Sequence, residues 1–112
     1  MSAPELSAAY AATAERWHDL RADARAANPV FDENARLAAL LRASEEGRAA
    51  IAELMAHPAS GVRVLAAAHS LDCPAASERA VAVLEALEAG AGLHAIAAEH
   101  ALAEFRAGTL EL

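Results

Sequence analysis

Lysine and glutamine are absent from this sequence, and all nine of its basic residues are arginine. With the abundance of alanine, that bias resembles the coding habit of a GC-rich bacterium. Aromatic residues make up only 4% of the chain, and β-branched residues are sparse. A sheet needs both kinds of residue on its pleated faces, so a β-rich fold is excluded. A single cysteine, Cys73, excludes an internal disulfide and suits a reducing cytoplasm. No apolar run approaches the roughly 18 residues that cross a bilayer. The opening MSAPELSAAY lacks a basic segment followed by an apolar one, so no signal peptide is expected. Basic charge is scarce too. The formal net charge is −7, from 16 acids and nine arginines. Nucleic acid and anionic lipid repel such a domain, and a basic protein is the partner it favours. Phosphate-binding glycine loops, G-x-S-x-G and H-E-x-x-H are all missing, and nothing local activates Cys73 as a nucleophile. The expectation is a non-enzymatic protein without cofactor.

What remains is alanine and aliphatic residues in helical register. Apolar residues are 56% of the chain, enough for one core, and 112 residues suffice for one domain. Proline and glycine divide the chain into six helical segments. The first is expected over about residues 4–27, with Leu6, Tyr10, Thr13, Trp17, Leu20 and Ala24 on one face. Asn28-Pro29 reads as the cap and first residue of the second, which carries Phe31, Leu37, Ala38 and Leu41. Ser44 caps a third with Ile51, Leu54 and Met55 inside, ended by His57-Pro58. Ser60 caps a fourth with Val62, Leu65, Ala66 and His69 on one stripe. After Pro74 the fifth begins near Ser77 and buries Ala80, Val81, Leu84 and Leu87. Gly90 and Gly92 bracket a turn. The sixth carries Leu93, Ile96, Ala97, Ala101 and Phe105, and Gly108 stops it.

The helices repeat. VRVLAAAHSL (62–71) aligns with LHAIAAEHAL (93–102) at an offset of 31. Leu65 then falls on Ile96, His69 on His100 and Leu71 on Leu102. The preceding helix matches at an offset of 30, where Ile51 and Leu54 meet Val81 and Leu84. A two-helix unit cannot cover its own apolar stripe, so such units stack. The expected architecture is all-α, with about six helices as three stacked helical hairpins in a single domain over 1–112, the hairpins lying at about 4–43, 44–72 and 75–108.

Pro58, Val62, Arg63, Ala66 and Ala67 resemble the second-helix signature of HEAT repeats. The run 62–90 is similar to a small bacterial HEAT-like family, domain of unknown function 2019. The resemblance covers about residues 28–108 and implies an α-solenoid but no activity. It also implies that Arg63 is structural and ties two units through an acid, with Asp32, Glu33 and Asp72 as candidates. Ser60, Gly61 and Ser70 depart from the HEAT pattern.

Candidate functional groups are few. Glu78, Glu85 and Glu88 fall within about 80° on the fifth helix. Asp72, Glu99 and Glu104 add acid to the same half, where residues 64–112 hold seven acids and two arginines. Those six residues are the candidate partner-binding surface. His69 and His100, at equivalent repeat positions, are the candidate ligand or metal pair. No second cysteine or close histidine pair completes a zinc site. His18 and His94 are expected on solvated surfaces. The first reading of function is a cytoplasmic protein–protein interaction module, in its sharpest form an immunity protein or antitoxin that covers a basic toxin. A small ligand-binding protein or enzyme using His69 and His100 is one alternative. Another is an accessory scaffold, monomeric or weakly dimeric through the first helix; Trp17 is expected in the core, and Trp17 and Tyr10 become exposed anchors only where that helix packs loosely.

Overall fold

The computed structural model describes residues 1–110 and contains six α-helices and no strand among them. They are α1 (Ala3–Leu20), α2 (Ala24–Arg42), α3 (Glu45–Glu53), α4 (Ser60–Ser70), α5 (Ser77–Glu88) and α6 (Leu93–Ala107). A 3₁₀ turn, Leu54–Ala56, follows α3. Consecutive helices form the expected hairpins, α1 against α2 and α5 against α6. The short α4 lies between them and touches α1, α3, α5 and α6.

The helix ends follow local chemistry. The Ser44 hydroxyl accepts from the Gly47 amide at 3.0 Å and starts α3. Gly108 closes α6 at φ 72°, a left-handed conformation that costs residues with a Cβ. Two expected starts are corrected. α1 stops at Leu20, not near Ala27, and α2 begins five residues before Pro29. Asp23 is the cap, its carboxylate accepting from the amides of Arg25 and Ala26. Pro29 sits in the second turn, on the solvent side with Arg25. The Arg25 carbonyl that its missing N–H leaves free is therefore beside water. Ser60 is the first residue of α4 and caps nothing, because Ala59 holds the cap position without a side-chain bond.

The core is made of Tyr10 and Ala14 from α1, Leu37, Ala38 and Leu41 from α2, and Ile51 and Met55 from the third segment. Val62, Leu65, Ala66, Ala67 and Leu71 come from α4, and Ala80, Leu84 and Leu87 from α5. Val81 is only half-buried. α6 differs most from its expected face. It buries Ala98, Ala101 and Leu102, while Leu93 and Ile96 are exposed.

Small residues set how closely helices approach. A Cβ on Gly61 would lie 2.4 Å from the Cβ of His18. α1 and α4 touch there through the missing side chain.

Candidate functional site

Polar groups are buried where α1, α2 and α4 meet. Tyr10 and Asn34 have no exposed surface, and His69 is 8% exposed. The Tyr10 hydroxyl lies 2.6 Å from His69 Nδ1, their rings edge to face. Asn34 Nδ2 donates to the Tyr10 carbonyl at 3.2 Å and to Thr13 Oγ1 at 3.1 Å. Thr13 Oγ1 in turn donates to the Tyr10 carbonyl at 2.9 Å. Asn34 Oδ1 is sealed without a partner among the described residues. The sequence offered a signal for Asn34 that was missed: a buried polar residue one turn before Leu37 and Ala38, on the α2 stripe.

Burial fixes the protonation of this cluster. It pushes the Tyr10 hydroxyl well above its ordinary value, against a smaller downward pull from Arg42. It lowers the His69 imidazole to about 4, and Arg42 acts in the same direction. Asp72 and the Leu65 carbonyl pull His69 upward, the latter without reaching hydrogen-bond geometry. At neutral pH the pair is therefore an uncharged phenol and an uncharged imidazole.

His69 is also the floor of a cleft of about 240 Å³ between the α1–α2 hairpin and α6. Its walls are chiefly Trp17, Phe31, Leu65, Ala97 and Ala101. The Trp17 and Phe31 rings lie 5.9 Å apart, and the Arg21 guanidinium sits 4.7 Å from the centre of the Trp17 ring. Trp17 is thus half-buried at a cleft wall, not sealed in the core. His100 and Glu104 stand at the rim, His100 Nε2 lying 3.1 Å from Glu104. The two histidines of the repeat line one cleft in unlike surroundings: His69 is the floor, while the His100 side chain is 75% exposed. No group of three His, Cys, Asp or Glu side chains among the described residues could hold a metal ion.

The acidic candidates are dispersed. Asp72, at the end of α4, pairs with Arg42 of α2. Glu85 meets Arg106 of α6 at 3.2 Å, and Glu104 is taken by His100. Glu78, Glu88 and Glu99 are exposed and form no ion pair among the described residues. Arg63 is held locally. It donates to the carbonyls of His57 and Pro58 at 2.9 and 2.8 Å and to Ser60 Oγ at 3.3 Å. It closes the turn before α4 and meets neither Asp32, Glu33 nor Asp72, so the expected acid-mediated link between units is corrected. The carbonyls left open at the end of the preceding segment and the Pro58 turn supply the acceptors instead. His18 and His94 are corrected as well: both are half-buried and face each other, ring centres 6.2 Å apart. Burial lowers the His18 pKa, assisted by Arg21.

Fold and site together define a class: an all-α protein of helical hairpins with a polar buried junction and an apolar cleft over it. No protein-family model, curated protein or solved structure matches the chain. No helix among the described residues is long and apolar enough to cross a membrane.

Proposed function

We propose that this chain is a non-enzymatic protein-binding module whose binding face is the outer stripe of α6. One observation carries the reading. Val62, Leu65 and His69 of α4 are 0, 6 and 8% exposed, whereas their repeat equivalents Leu93 and Ile96 are 50 and 63% exposed, and His100 is exposed beside them. The repeat provides a stripe suited to covering by another helix, and no helix of the described chain covers it. Large aliphatic side chains left open together are characteristic of interaction surfaces. Glu99 and Glu104 flank the stripe within roughly 60–80° on either side. The matching partner presents an apolar helical stripe rimmed by Lys or Arg, which the net charge of −7 also attracts.

The narrower form is an immunity protein bound to a basic toxin. Its support is the same charge and the unpaired Glu78, Glu88 and Glu99. The test uses the product of the neighbouring gene, with titration calorimetry on the wild type and on Leu93→Glu/Ile96→Glu, the helicity of both checked by circular dichroism. Binding in the micromolar range or tighter that the double substitution abolishes is the expected result. Binding that ignores the substitution removes α6 as the face. No binding, with no protection of cells from that product, removes the toxin reading.

A further inference from the structure

We propose that the cleft between the α1–α2 hairpin and α6 binds a small, flat, uncharged apolar molecule carrying one hydrogen-bond acceptor, which receives the Nε2–H of His69. This goes beyond the protein-binding reading, because it rests on the floor of the cleft and not on the outer stripe of α6.

The direction of one hydrogen bond decides what the floor offers. The Tyr10 hydroxyl is fully buried, and His69 Nδ1 is its partner among the described residues. A buried hydroxyl proton needs an acceptor. If Nδ1 carried the ring proton, that hydroxyl proton would be stranded. Nδ1 is therefore the lone-pair nitrogen, and the neutral ring carries its proton on Nε2. The sealed side-chain atoms without partners lie elsewhere, on His18, Arg21, Asn34 and Arg42; Nε2 is not among them, and His69 lines the cleft. We take the donor on this ring, which a second buried side chain holds, to face the apolar cleft that His69 lines. Ligand sites combine those features: apolar walls and a few polar groups that orient.

The surroundings narrow the ligand. The Trp17 and Phe31 rings are aromatic walls of the cleft, 5.9 Å apart and tilted by 47°. The Glu104 carboxylate at the rim disfavours an anion. Arg42 is paired with Asp72, so no uncompensated charge of that pair awaits a charged ligand. A shallower hollow of about 390 Å³ shares Trp17, Ala97 and His100 with the cleft and opens outward past Ile96, leaving room for a substituent.

The test uses acetophenone, which has a neutral acceptor, and ethylbenzene, which has the same ring and none. Trp17 is the only tryptophan, so its fluorescence reports on the cleft wall. Long-range ¹H–¹⁵N spectra of the imidazole report the tautomer. The free protein should show His69 protonated at Nε2. Acetophenone should change Trp17 emission saturably, shift His69 Nε2–H and bind about tenfold more tightly than ethylbenzene. Tyr10→Phe/His69→Leu removes both partners of the buried bond and should erase that preference while binding both probes. Ala97→Phe leaves Tyr10 and His69 in place, fills the cleft and should abolish both probes, so the test stands even where the double variant does not fold. An Nδ1–H tautomer, no saturable binding of acetophenone, a preference that survives in the double variant, or binding unaffected by Ala97→Phe would each overturn the proposal. Leu93→Glu/Ile96→Glu should leave acetophenone binding within about twofold, separating this site from the proposed protein interface.

Discussion

α4 and α6 carry nearly the same pattern and have different fates. Val62, Leu65 and His69 line one side of α4, and Ala67, Ser70 and Leu71 the other; all six are buried. On α6 only the second side is buried, through Ala98, Ala101 and Leu102, and the side bearing Leu93, Ile96 and His100 is open. Both helices carry apolar residues on two sides, a pattern that suits a helix with neighbours on each of them. Enclosure then depends on neighbours. α4 has α1 on one side and α5 and α6 on others, whereas α6 has α5 and α4 behind it and, among the described residues, no helix in front. A repeat therefore transmits a packing surface to α6 whether or not anything covers it, and that open surface is where a partner can be sought.

The largest effect that probes this difference is aliphatic truncation. Leu65→Ala should cost about 2–5 kcal/mol, since it opens a void in the core beside the cleft. Ile96→Ala, at the equivalent position, should change stability by no more than about 0.5 kcal/mol. Urea unfolding of the two variants measures both. A cost above about 1.5 kcal/mol for Ile96→Ala would mean that α6 is covered, for instance by a second copy, and the contrast would fail.

The second effect is acid sensitivity. His69 titrates near 4 in the folded chain and near its ordinary 6.5 when unfolded. The unfolded state thus gains a proton first as pH falls. The contribution is fully favourable above about 6.5, and stability declines between about 6.5 and 4 by up to roughly 3 kcal/mol. His18, also lowered, adds in the same direction. Subtracting the curve of Tyr10→Phe/His69→Leu from that of the wild type isolates the pair. A flat difference curve across that window would show that His69 is not held neutral by burial.

Much of the fold was legible because it rests on local signals. Proline, glycine and Ser44 mark breaks that the backbone must make, and the aliphatic spacing of α2, α4 and α5 gives one face each. The start of α2 was missed because Asn28-Pro29 looks like a helix beginning, while Asp23, a single carboxylate among alanines, does the capping. The face of α6 could not be read, since Leu93 and Ile96 compete with Ala98 and Leu102 on almost opposite sides and only tertiary neighbours choose. Of the site, His69 was visible as a histidine on an apolar stripe. Its partner Tyr10 lies 59 residues away, and no spacing rule connects them. The acidic surface was legible as charge, but its partial neutralisation by Arg42 and Arg106 depends on which helices are adjacent.

A smaller loss is expected at the contact between α1 and α4. Gly61→Ala should destabilise by about 1–3 kcal/mol, because the added methyl meets the Cβ of His18, which no side-chain rotation can move away. Thermal unfolding checks it, and restoration by His18→Gly in the double variant would attribute the loss to that contact. An unchanged melting temperature would mean that the two helices slide apart freely and that α4 is less enclosed than its burial indicates.

The smallest effect falls on the second histidine of the repeat. His100→Gln removes a group that is mostly exposed and pairs with Glu104 one turn away. An exposed i, i+4 pair gives only a few tenths of a kcal/mol, and less as salt rises. Stability should therefore move by less than about 0.5 kcal/mol, in contrast to His69, whose replacement alone strands the Tyr10 hydroxyl. Equal losses at the two positions would show that the α6 stripe is packed as tightly as that of α4. If His100→Gln instead left stability unchanged but weakened capture of a basic partner, the two histidines would be separated by role as they are by exposure: one is part of the fold, and the other lies on the surface the fold leaves open.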